Sequence, residues 1–176
     1  QGNNNAVSSN LQLADGGTYT IGTGQMVVYY DWTSTGGLIG YSAIDFDGAS
    51  GSVNGGSDAS IDNIFDGGGT VEVWINTDSD GEGSVGMIVS KLSNYIATVG
   101  ESGGSMKLRF KQFFDGDDGA WETTDLVITN GKWHHVVVSY NSDAVGNNPI
   151  IYVDGKVVAI TETLTPTGTR DSDAAN

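Results

Sequence analysis

At 176 residues, with 22 Asp and Glu against 7 Lys and Arg, the chain is the size of one ordinary domain and carries a formal charge of −15. That charge repels phosphate backbones and anionic lipid, which excludes nucleic acid as a partner, and no apolar run approaches a membrane span, which excludes membrane insertion. The absence of cysteine rules out disulfides and thiolate metal sites.

The 27 glycines come with only 2 prolines, and seven Asp-Gly and two Asn-Gly pairs punctuate the chain, a pattern of many short strands. Opening on Gln1 rather than Met fits a processed secreted protein or a fragment. Strands are expected first at residues 18–21 and 26–30. Residues 1–36 read as an N-terminal β segment, an assembly arm or a strand-completing arm. A strand at 43–46 follows, and residues 62–65 hold the one possible helical turn.

At 70–75, Val71, Val73 and Ile75 alternate with Glu72, Trp74 and Asn76, placing Trp74 on the less apolar face unless both faces of the sheet are covered. Further strands are expected at 87–89, 95–99 and 105–111. In the last of these Met106, Leu108 and Phe110 face a core, while Lys107, Arg109 and Lys111 form a cationic stripe opposite. The stripe would either meet an anionic glycan or sulfate, or balance nearby aspartates on an outer sheet face. Strands at 126–129, 133–140, 150–153 and 156–160 complete the set. Asp154-Gly155 supplies the two positive-φ positions of a tight primed turn between the last two.

Two loops suggest calcium. Asp78, Asp80 and Glu82 place oxygens at alternate positions with Gly83 sixth, but the twelfth position is Val89, so an EF-hand reading fails and an acidic hairpin loop remains. Asp115, Asp117 and Asp118 pack three carboxylates into five residues, whose repulsion a divalent cation would relieve; the alternative is a solvated turn. His134 and His135 are adjacent on a strand, point to opposite faces and cannot chelate one metal together. Trp32 and Trp121, with Tyr29 and Tyr30, offer flat surfaces for sugar stacking, or else core.

The segments 43–48 (AIDFDG), 68–78 (GGTVEVWINTD), 87–91 (MIVSK), 131–140 (GKWHHVVVSY) and 151–158 (IYVDGKVV) stand in an order that resembles the laminin-G-like, concanavalin A-like jelly rolls. The resemblance implies an all-β, two-sheet antiparallel jelly-roll sandwich over residues 37–165. It also implies calcium in many members, held by an Asp of a closing segment that this sequence lacks. Residues 166–176 read as a C-terminal tail without the family's closing strand, so the sheet is expected to be completed by residues 1–36, by another copy or by residues outside this chain.

The function expected is non-catalytic recognition or adhesion, binding a glycan or surface protein on an extracellular or virion-surface structure. A structural subunit of a surface assembly, self-associating by strand exchange, is the alternative. A hydrolase or lyase ranks last. Retaining glycosidases need two carboxyl groups about 5 Å apart, and none of Glu72, Glu82, Glu101, Glu122 or Glu162 begins the E-x-D-x-x-E strand of concanavalin-like hydrolases.

Overall fold

The computed structural model describes residues 43–46, 51–56, 58–91 and 93–172. The strands expected at 18–21 and 26–30, the N-terminal segment 1–36 and Trp32 lie outside these residues. The chain divides between Asp45 and Phe46, and all the regular structure described falls after that point.

A short 3-10 turn, Ala59–Ile61, is capped by the Asp58 carboxylate, which accepts from Ser60 N–H. Ten strands follow: β1 (Gly69–Asn76), β2 (Val85–Lys91), β3 (Asn94–Ser102), β4 (Ser105–Gln112), β5 (Gly119–Thr123), β6 (Ile128–Thr129), β7 (Trp133–Tyr140), β8 (Ile150–Val153), β9 (Lys156–Val157) and β10 (Ile160–Leu164). They build two antiparallel sheets. One has the order β1-β7-β8-β9; the other has β10-β5-β4-β3-β2, with β6 pairing β4.

The expected strand at 43–46 is not formed. Its alternating apolar residues find no partner strand among the described residues, and Ile44 and Phe46 are exposed. Two strands were not expected. β5 hides behind the Asp118-Gly119 turn signal, and β10 has only Ile160 and Leu164 as apolar residues.

Period-2 alternation sends one face of each sheet inward. From the four-stranded sheet come Val71, Val73, Ile75, Val136, Val138, Tyr140, Ile151 and Val153; from the other come Ile96, Met106, Leu108, Phe110, Trp121 and Ile128. At the centre four rings meet. Phe110 lies 5.2 Å from Phe65 and from Tyr140 edge-on, and stacks on Trp121 at 5.9 Å. The Tyr140 hydroxyl has no hydrogen-bond partner among the described residues, and burial, with the charge of Glu162 adding to it, pushes its pKa up to about 12.

Phe65 reaches this cluster because the chain doubles back tightly before β1. A Cβ on Gly69 would stand 1.8 Å from the Ile64 carbonyl oxygen, so only glycine fits. Gly69→Ala is expected to lower stability by about 3 kcal/mol or more, because backbone rather than a rotatable side chain must move. A urea melt measures it, and a midpoint equal to wild type would refute the tight crossing.

After β10 the chain does not trail away. Thr167 N–H donates to Asp117 O, Asp115 N–H to Thr169 O, and Asp171 N–H to Phe113 O. Arg170 closes the contact by donating to Asn63 Oδ1 at 2.6 Å and Asp66 Oδ2 at 2.8 Å.

Candidate functional site: the outward face of the four-stranded sheet

In β1 the residues between the core positions, Thr70, Glu72, Trp74 and Asn76, are exposed. The β1–β7 register sets Asn76 against Trp133, Trp74 against His135, Glu72 against Val137 and Thr70 against Ser139. β8 extends the same face, with Tyr152 opposite Val137 and Ile150 opposite Ser139.

The result is an aromatic surface in water. Trp74 is 63% exposed and Trp133 52%. Trp74 stacks on His135 with ring centroids 5.0 Å apart and planes 27° from parallel, and His135 Nε2 lies 3.5 Å from Glu72 Oε2. The stack pairs the two rings while most of the indole stays in water.

Along the strands from this stack, the face runs into an open cleft of about 520 Å³. Its walls include Gly68, Thr70, Ser139, Asn141, Asn147 and Asn148. The loop after β7 is braced internally. Asn147 Nδ2 donates to Asn141 O at 3.0 Å, and Asp143 N–H donates to Asn141 Oδ1 at 2.8 Å.

Trp121 is corrected by the structure. It is fully buried, so it cannot be a stacking platform; instead its Nε1 donates to Asn148 Oδ1 at 2.7 Å and fixes the cleft wall from inside. The aromatics that do face water, Trp74 and Trp133, were not singled out from sequence, although the position of Trp74 on the polar side of an alternating strand was the signal.

Lys107, Arg109 and Lys111 lie on the outward face of the other sheet, and two of the three are neutralised there. Arg109 Nε donates to Glu122 Oε1 at 2.9 Å. Partial burial works against the guanidinium charge, yet hydrogen bonds from Arg109 to Glu122 and Tyr95 outweigh it and raise its pKa above the ordinary value. Lys111 pairs with Asp118 at 2.8 Å and sits 4.7 Å above the Phe113 ring.

The two acidic loops are likewise engaged. Asp115 Oδ1 accepts from Thr169 N–H, Asp117 Oδ2 from the Thr167 hydroxyl and Asp118 Oδ1 from Phe114 N–H. Asp80 N–H donates to Glu101 Oε2 and Glu101 N–H to Asp80 Oδ2, while Asp78 is exposed. Among the described residues no three His, Cys, Asp or Glu side chains converge as a metal site. The Asp115 and Asp117 carboxylates bond to the C-terminal segment and anchor it, whereas Asp118 bonds to Phe114 N–H and Lys111.

The two histidines do separate to opposite faces. His134, buried, accepts from Thr129 N–H through Nε2 at 3.0 Å, so the proton of its neutral ring is on Nδ1, which donates to Asp154 Oδ2 at 2.9 Å. Asp154 Oδ1 accepts from His135 N–H, and both Asp154 and Gly155 have positive φ, as the primed turn demands. The hairpin turn thus supplies a carboxylate to the buried imidazole. The pair joins the start of β7 to the β8–β9 turn.

Residues 47–176 match a laminin-G family model of the concanavalin A-like lectin/glucanases superfamily. No curated protein and no solved structure matches the chain. With the two-sheet antiparallel sandwich and a family match spanning most of its length, the chain belongs to the laminin-G-like group of the concanavalin A-like lectin/glucanase superfamily.

Proposed function

We propose that this domain is a non-catalytic glycan-binding module whose ligand stacks on the outward face of the four-stranded sheet. The observation that carries this reading is the exposed pair Trp74 and Trp133 beside His135 and Glu72. Indole faces bind the C–H faces of sugar rings, and the flanking imidazole and carboxylate supply hydrogen bonds for their hydroxyls. Membership of a superfamily that includes lectins supports the same class.

Catalysis is not part of the proposal. On the outward registers of β1, β7 and β8 Glu72 is the single carboxylate, whereas glycoside cleavage uses two; Glu122 is on the other sheet, held by Arg109.

Affinity electrophoresis in gels containing neutral polysaccharides tests the reading. Trp74→Ala and Trp133→Ala are expected to abolish the retardation that wild type shows, with stability within about 0.5 kcal/mol because both side chains face water. Retardation that survives both substitutions would place the ligand elsewhere.

A further inference from the structure

We propose that the ligand is a neutral, linear glycan several sugar rings long, lying along β1 and β7 from the Trp74–His135 stack into the asparagine-lined cleft. The inference rests on the recognition face described above and concerns what that face selects. The stack and the cleft are one surface. Trp74, Glu72 and Thr70 on β1 pair in turn with His135, Val137 and Ser139 on β7, and Thr70 and Ser139 at the far end are themselves cleft walls.

The length follows from strand geometry. Six residues separate Trp74 from Gly68 at the cleft, and at about 3.4 Å per residue the surface runs roughly 20 Å, far beyond one sugar ring.

Chemistry changes along that path in a way that suits hydroxyl-rich chains. One end offers an indole face. The other offers hydroxyls and amides: the Thr70 hydroxyl donates to Ser139 Oγ at 3.1 Å, and the Asn141–Asn147 bracing and the Trp121–Asn148 bond fix the cleft wall before any ligand arrives. Pre-set polar groups lose little entropy on binding.

Charge selects against the alternatives. No Lys or Arg lies on the outward registers of β1, β7 or β8, and a chain of net charge −15 repels sulfated or carboxylated glycans as it repels a second copy of itself.

The test is calorimetric titration of the full chain with glucose, mannose and N-acetylglucosamine oligomers of two to six residues, heparin serving as the anionic control. Wild type is expected to bind one neutral series with affinity rising at least tenfold from disaccharide to pentasaccharide, and to leave heparin unbound. Thr70→Ala/Ser139→Ala is expected to remove that gain while keeping disaccharide affinity, and Trp74→Ala to remove both.

Trp74-dependent binding with equal affinity at every length would overturn the extended path and leave the recognition face standing. Heparin bound more tightly than every neutral oligomer would overturn the neutral ligand. No oligomer bound at all would overturn both this inference and the recognition face beneath it.

Discussion

Trp121→Ala is expected to lower the unfolding free energy by about 3–5 kcal/mol, the range for emptying a large aromatic site in a packed core. Trp121 is fully buried, stacks on Phe110 at 5.9 Å and lies 5.3 Å from the Tyr140 ring, so its loss opens a cavity where both sheets meet. Gly119 shows how closely the ring is enclosed, since a Cβ there would stand 2.4 Å from it. The substitution also removes the donor to Asn148 Oδ1, so the cleft wall loses its internal brace. Trp121→Phe separates the two effects. It refills most of the volume without restoring the N–H, and is expected to recover over half of the lost stability but not the cleft geometry. Chemical denaturation of the three proteins measures the series. A loss below about 1 kcal/mol for Trp121→Ala would return Trp121 to the surface role that its flat ring suggests on sequence alone.

His134→Ala is expected to cost about 2–3 kcal/mol, because it strands the Thr129 N–H and deprives Asp154 of one of its two donors. The companion experiment is acid titration. The His135 N–H and then the His134 ring hold the Asp154 carboxyl below its ordinary pKa. For a depressed carboxyl the sign is fixed. Its contribution is fully present above the unfolded value of about 3.9 and is lost as pH falls through the lower folded value. Asp154→Asn is therefore expected to narrow the stability difference between pH 6 and pH 3 relative to wild type, measured by urea midpoints at each pH. Asp58 and Asp143 are also depressed, by hydrogen bonds from Ser60 and Gly67, so the variant removes only one share of the acid sensitivity. An unchanged difference would mean that the hairpin turn is not electrostatically tied to β7.

The two outer faces of the sandwich are unlike. On the six-stranded sheet the cations of β4 meet Glu122 and Asp118, an arrangement that satisfies charge within the fold. On the four-stranded sheet the outward side chains are mostly aromatic, aliphatic, amide- and hydroxyl-bearing, with Glu72 the one carboxylate on the β1, β7 and β8 registers, and Trp74 and Trp133 present about half or more of their surface to water. A surface that satisfies its own charges is poor at recognition, whereas the four-stranded face leaves two indoles open to water.

From the residues in order one can read the all-β class, the strands β1, β4, β7 and β8 and the Asp154-Gly155 turn, because each of these depends on neighbours along the chain. Period-2 alternation in Met106 to Lys111 and β-branched runs in β7 carry their own signal, and the turn requires only two residues able to take positive φ. The side on which Trp74 lies was legible for the same reason. Tertiary structure decided what depends on distant partners. A tryptophan reads the same whether its neighbours are water or Phe110 and Tyr140, so Trp121 looked available and proved buried. A strand such as β10, apolar only at its two ends, exists because β5 offers it a ladder. Nor could the residues in order show that the C-terminal segment brings a backbone N–H and a hydroxyl to Asp115 and Asp117 across some 50 positions. His134 found its carboxylate the same way, through a hairpin that returns Asp154 to the start of β7.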